Sequence, residues 1–245
     1  MNVLNLSKLS LNEEKSGGFT LIELIIALTI SLIIMASIYS AYLSQKRIQL
    51  AQHQVVVMQQ NLRSAMTFLS SEIRMAGYKP YSSAENTGLV SASKGQIRFS
   101  WEKDSNTIAA GPDMDITYRF SIDDDSTPAD GVADSGAASF KRSINGGSLQ
   151  PVADHIVAVE FFYTLEDNTN NGVYDPPQKI DPSGSELDNI RAVTISLLAR
   201  SPRKDPNFTN TLTYQSASGK SWGPYDDSYR RRILISTVKL RNIGL

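Results

Sequence analysis

Apolar side chains follow one another from Leu21 to Met35 with a single acid, Glu23, near the start, and the run from Leu24 to Leu43 carries neither charge nor proline. Twenty residues at about 1.5 Å rise reach roughly 30 Å, the thickness of a bilayer's hydrocarbon core, so this stretch predicts a membrane-spanning helix. The pattern then changes period without a break. Ile48, Ala51, Val55, Met58, Leu62, Ala65, Leu69, Ile73 and Ala76 recur at steps of three and four, while Gln49, Gln52, Gln54, Gln59, Gln60, Asn61 and Arg63 fill the other faces. One continuous helix from Phe19 to Ala76 is predicted, roughly 87 Å long. Gly77 and, shortly after, Pro80 supply its stop.

After Pro80 the period falls to two, and Ser, Asn, Gly and Asp interrupt the chain often. Strands are predicted at 96–101, 115–120, 138–142, 156–165, 192–199 and 233–240, forming a mostly antiparallel sheet. Phe99/Trp101, Ile116/Tyr118/Phe120 and Ile233/Ile235/Thr237 alternate with polar neighbours, as expected if one sheet face packs on the back half of the long helix and the other meets solvent. The class is α+β. Three polar connections, 123–136, 166–189 and 201–227, are long enough that both function and poor order are expected among them. No internal repeat is present, so a solenoid is not supported.

Composition narrows this picture in two places. The formal net charge is −1 and the sequence pI about 6.1, giving no general electrostatic case for nucleic acid or an anionic surface. There is no cysteine, so disulfide staples, thiolate metal sites and cysteine nucleophiles are excluded, and the globular part must stand on its core. Lys8 and Lys15 before the span are balanced by Lys46 and Arg47 after it, so charge alone does not set its orientation.

The residues leading into the span carry the most specific signal. Gly17-Gly18 lack Cβ atoms and leave a thin, flexible backbone that a protease can draw out just ahead of a helix. Glu23 sits where an unpaired carboxylate in lipid costs on the order of 2.5 to 3.5 kcal/mol, which asks for a partner. A secretory signal peptide would have a shorter apolar run with the small residues after it, and a plain signal anchor has no use for Gly-Gly or Glu23.

Gly17-Gly18-Phe19-Thr20-Leu21-Ile22-Glu23 resembles the class III signal of type IV prepilins and type II secretion pseudopilins. The resemblance implies cleavage after Gly18 and methylation of the new amino terminus at Phe19 by a prepilin peptidase/methyltransferase. It also implies that Glu23 faces the amino-terminal amine of a neighbouring subunit, with the first half of the helix packing on other subunits. Arg74-Met75-Ala76-Gly77-Tyr78, Val152 to Ile156 with Val159 to Tyr163, and Arg230 to Arg232 with Thr237 to Asn242 are similar to a minor pilin of the PilW type, whose neighbouring relative is the J-type minor pseudopilin. That family implies a type IV pilin-like fold, with a leader at 1–18, a transmembrane and filament-core helix at 19–43, an amphipathic stalk at 44–77 and a β-rich head at 78–245. Its expected place is the inner membrane, spanned once with the head in the periplasm, and then a pilus or pseudopilus at the cell surface. Its expected partners are other minor pilins, the major pilin, the inner-membrane assembly platform and, before assembly, lipid. Its expected role is to prime or support pilus assembly near the filament tip, with a secretion pseudopilin or a tip adhesin or DNA-contacting subunit as alternatives.

Enzyme chemistry finds little material. The two histidines read as a solvated helix position (His53) and a cap or edge residue opening a strand (His155), and no nucleophile elbow, phosphate loop or zinc spacing is present. No cofactor is expected. Asp167, Asn171 and Asp175 place oxygens around Gly172 as a calcium loop would, but Gln178 stands where a closing Glu is needed, and a polar hairpin turn is the plainer reading. Asp123, Asp124, Asp125, Asp130 and Asp134 form a second acidic loop, read as solvated. Arg230, Arg231 and Arg232 are the one basic run, read as charge keeping an edge strand soluble, with an interaction role as the alternative. Trp222 and Tyr225 fit either an exposed contact or a loop anchor.

Overall fold

The computed structural model describes residues 17–80, 87–102, 114–121, 130–167 and 175–243. Its one long helix, α1, runs Leu21–Ile73, and the chain divides into two compact units, Met1–Leu50 and Ala51–Leu245.

In the first unit the helix is apolar on every side and exposed: Leu24, Ile25, Leu28, Leu32, Ile33 and Ile38 are all at least half open. It is long and apolar enough to cross a membrane. Its hydroxyls fold back on the helix, with Thr29 donating to the Ile25 carbonyl at 2.7 Å, Ser31 to Ala27 at 2.7 Å and Ser37 to Ile33 at 2.9 Å. Such bonds satisfy these three hydroxyls within the helix itself.

In the second unit α1 buries Met58, Leu62, Ala65, Met66, Leu69, Ser70 and Ile73, the predicted stripe from Met58 on with Met66 and Ser70 added, while Ala51 and Val55 are half-buried and Ile48, in the first unit, is exposed. The helix ends at Ile73, short of Ala76, because the Met75 and Ala76 amides turn to carbonyls three residues back, at 2.9 and 3.1 Å. Gly77 completes the stop at φ +76°, its amide donating to the Ser100 carbonyl at 3.0 Å; a Cβ there would lie 2.8 Å from the Asn242 carbonyl oxygen. Only glycine suits both demands.

The strands are β1 (Gly88–Ala92), β2 (Ile97–Trp101), β3 (Met114–Arg119), β4 (Ala138–Ile144), β5 (Gln150–Leu165), β6 (Gln178–Lys179), β7 (Ile190–Arg200), β8 (Tyr214–Gln215), β9 (Ser221–Trp222) and β10 (Arg231–Lys239). All six predicted strands are present, and every named pairing is antiparallel, in the order β1-β2-β3-β4-β5-β7-β10 with β6 on β5 and β8–β9 a separate hairpin. β1, Gly-Leu-Val-Ser-Ala, escapes sequence reading because its adjacent Leu89 and Val90 leave no alternation of apolar and polar positions. β5 begins earlier than expected, and His155 does not open it. The ladder slips between Phe140↔Ala153 and Ala138↔Ile156, and His155 takes up the slack at φ +59°, a bulge within the strand.

The helix-side face stacks rings from successive strands, with centroids 6.3 Å apart for Phe99–Tyr118, 6.0 Å for Tyr118–Phe140 and 6.4 Å for Phe140–Phe161. Such cross-strand pairs add to the area they bury.

The opposite face is not left to solvent as expected. Val157, Ala158 and Leu198 form a second cluster with Trp222, joined by Val132, Tyr214, Tyr225 and Ile233. The alternation expected in β10 is accordingly reversed. Leu234, Val238 and Leu240 turn to the main core, while Ile233 joins the second cluster and Ile235 stays 44% exposed. Apolar residues on both faces of an edge strand make period two ambiguous from sequence.

Candidate functional site

At the amino-terminal end, Gly17, Gly18 and Phe19 are exposed, and a Cβ at either glycine would meet nothing within 4 Å. This backbone is open to an incoming enzyme. Glu23 sits in the first turn of α1, where its Oε2 accepts from the Thr20 amide at 2.9 Å and the Thr20 hydroxyl at 2.8 Å. The Glu23 amide donates back to Thr20 Oγ1 at 3.3 Å. This is a reciprocal capping box, and its Thr-x-x-Glu spacing was legible but not read from the sequence. Among the described residues Oε1 has no partner. The carboxylate therefore stands at the positive end of the helix with one oxygen satisfied and one available.

The basic run is a different kind of structure from the solvated edge expected. Arg231 has a side chain only 1% accessible, paired through both nitrogens with Asp227 at 2.5 and 2.6 Å and lying 3.8 Å above the Tyr225 ring. Arg230 pairs with Asp205 at 2.8 Å over the Phe208 ring at 4.3 Å. Arg232 is exposed. Bidentate pairing and ring stacking explain why arginine, and not lysine, suits these positions. β10 is an edge strand, as expected, but two of the three arginines of the run, Arg230 just before the strand and Arg231 at its start, are spent on ion pairs within the 205–231 stretch.

That segment is ordered by several such anchors. Trp222, at 3% exposure, is a loop anchor and not a surface contact. Asn210, fully buried, donates to the Tyr229 carbonyl at 3.1 Å and pairs as a bridge with Asp227. Glu160, 2% exposed on β5, accepts from the Ser218 amide at 3.1 Å and hydroxyl at 2.8 Å, docking the 216–220 turn. Sequence reading missed Glu160, whose alternation with apolar neighbours looks like any outward position.

The remaining candidates fall as follows. Asp167 Oδ2 accepts from the Asp175 amide at 2.9 Å; Asn171 lies outside the described residues. Asp123, Asp124 and Asp125 also lie outside them, while Asp130 caps the Val132 amide at 2.9 Å and pairs with Lys220 at 3.4 Å. Among the described residues no group of three or more His, Cys, Asp or Glu could hold a metal ion. His53 is exposed on α1. Beneath the sheet, Glu72 binds both the Tyr118 hydroxyl and Arg142, and burial pushes the Tyr118 phenol well above its ordinary range. A phenol so shifted stays protonated and serves as a donor.

Residues 119–242, just over half of the chain, match the family described as Type IV Pilus-assembly protein W, and residues 15–39 match the prokaryotic N-terminal methylation motif. Among solved structures, a type IV-like pilin from Thermus thermophilus is similar at 15% identity and a TM-score of 0.43, over 76% of this chain and 98% of that one. No curated protein matches the chain.

Proposed function

This chain belongs to the family of type IV pilus-assembly protein W, and from that premise we propose that it is a minor pilin that co-assembles with other pilins and primes or supports assembly near the filament tip. Family and fold are those of a structural pilin, and the methylation motif implies a prepilin peptidase and assembly with other pilins. In the proposed sequence of events the leader 1–18 is removed after Gly18, Phe19 is methylated, and residues 19–43 hold the chain in the inner membrane. The amphipathic stretch 44–77 then carries the head, 78–245, in the periplasm until the subunit enters the filament.

The observation that carries this reading is the first turn of α1. Within the first unit α1 is exposed and has one acid, Glu23, capped by Thr20 on one oxygen and open on the other. A permanent lipid anchor gains nothing from that carboxylate, whereas a subunit joining others gains a register mark, because the cost of the charge is relieved only where a neighbour's amino terminus meets it. The Glu23→Ala variant is expected to insert and be cleaved like the wild type but to drop out of the assembled complex, as read by co-purification with the other pilins of its strain. Undiminished co-assembly of Glu23→Ala would overturn the role of this acid.

A further inference from the structure

We infer that the outer edge of β10 is a docking strand for an extended, acidic segment of a different subunit. The ladder to β7 fixes which backbone groups are available. The Leu240 amide donates to the Arg191 carbonyl at 2.9 Å and the Ser201 amide to the Arg230 carbonyl at 2.7 Å. These bonds bracket β10, so its even-numbered residues direct their N–H and C=O groups to β7 and its odd-numbered residues direct theirs away from the sheet. The Thr194 and Thr237 hydroxyls, 2.9 Å apart, mark the intervening non-bonded pair and agree with this phase. The Arg231 carbonyl is taken by the Tyr214 hydroxyl at 3.4 Å. Ile233, Ile235, Thr237 and Lys239 present the rest, and among the described residues these backbone groups have no partner.

An open edge of this kind is a template for strand addition unless it is blocked. Here the charges choose between occupants. Arg232, Lys239 and Arg241 are exposed along or just beyond the edge, and no acid occurs from Ser228 to Leu245. Antiparallel pairing with β10 of a second copy brings only cations to the edge, its Lys239 and Arg241 arriving at the end where Arg232 is exposed, and like charges brought together across a ladder destabilise it. The other edge, β1, is Gly88-Leu89-Val90-Ser91-Ala92 and offers no acid to a second copy either. A strand from another protein that carries acids at alternate positions opposite Lys239 and Arg241, which share a face, satisfies both the backbone groups and those cations. Exposed Ile235 supplies an apolar contact midway along the same edge.

The inference rests on the co-assembly reading, but cleavage after Gly18 and dependence on Glu23 test that reading without involving β10. The test uses the full chain co-expressed with the other pilins of its strain. Ile235→Pro removes one outward N–H and no bond to β7, a substitution that edge strands tolerate; Lys239→Glu inverts a charge. In the isolated chain the amides of Ile233, Ile235, Thr237 and Lys239 should exchange quickly and those of Leu234, Ser236 and Val238 slowly. In the purified complex the first group should become protected. Ile235→Pro, melting near the wild-type temperature, should lose co-purification, and Lys239→Glu should weaken it. Unchanged exchange of the odd-numbered amides in the complex would refute the inference, as would protection acquired by self-association of the isolated chain.

Discussion

Two acids show how a single residue's surroundings decide its work. Glu23 is held by Thr20 with one oxygen left over, a poised contact; Asp227 has both oxygens on Arg231 and accepts from the Tyr229 amide as well. The hydrogen-bonded Arg231 guanidinium holds the Asp227 carboxyl below its ordinary range, and Arg230 does the same for Asp205. In the unfolded chain these carboxyls titrate near the ordinary value of about 3.9. Above that pH both states are ionised and the pairs contribute in full. As pH falls below about 4 the unfolded chain takes up protons first, and stability is lost until the folded carboxyls are protonated as well. Asp227→Asn leaves a buried guanidinium short of its counter-charge, a change that costs about 3 kcal/mol at neutral pH, the low end for breaking a buried pair because Asp227 itself is partly open. Urea unfolding at pH 7 and pH 3 checks this: the gap between wild type and variant should narrow at the lower pH. A gap that does not move would mean that the ion pair is not what the substitution removes.

At the scale of elements, sequence periodicity located what buries one clean face and misread what buries two. Leu62, Leu69 and Ile73 lie at helical spacing and were legible as core, as were Ile116 and Tyr118 at strand spacing. β10 was found but turned the wrong way, since Ile233 and Leu234 are both covered, from opposite sides. What covers Ile233 is the 201–230 segment, in which β8 and β9 are only two residues each and the ordering comes from Trp222, Asn210 and the two arginine pairs. Side-chain anchors between positions far apart in sequence leave no local period. Trp222→Ala should therefore act on this segment first. A tryptophan lost from a packed site costs about 3–5 kcal/mol, and limited proteolysis should cut between 201 and 230 in the variant while the sheet and the back half of α1 stay protected. Uniform loss of protection throughout the second unit would show that the segment and sheet unfold together.

For the molecule as a whole, the two units follow different physical rules. The second carries its own core and needs no membrane or partner to explain its burial. The first, over its described residues, exposes apolar side chains from Leu21 to Tyr42 and is long and apolar enough to cross a membrane. This was the most legible part of the sequence, because an unbroken apolar run with one acid and a preceding glycine pair constrains function more than any single strand does. The head's outward surface was the least legible, because the partners of Arg230, Arg231 and Glu160 are set by folding and not by spacing. The account stands on the claim that this first unit is a processed filament segment, and intact mass spectrometry of the amino terminus tests it most directly. After co-expression with the prepilin peptidase the chain should have lost residues 1–18 and begin at N-methylated Phe19. A chain that keeps Gly17 and Gly18, or begins at Phe19 without the methyl group, would contradict it.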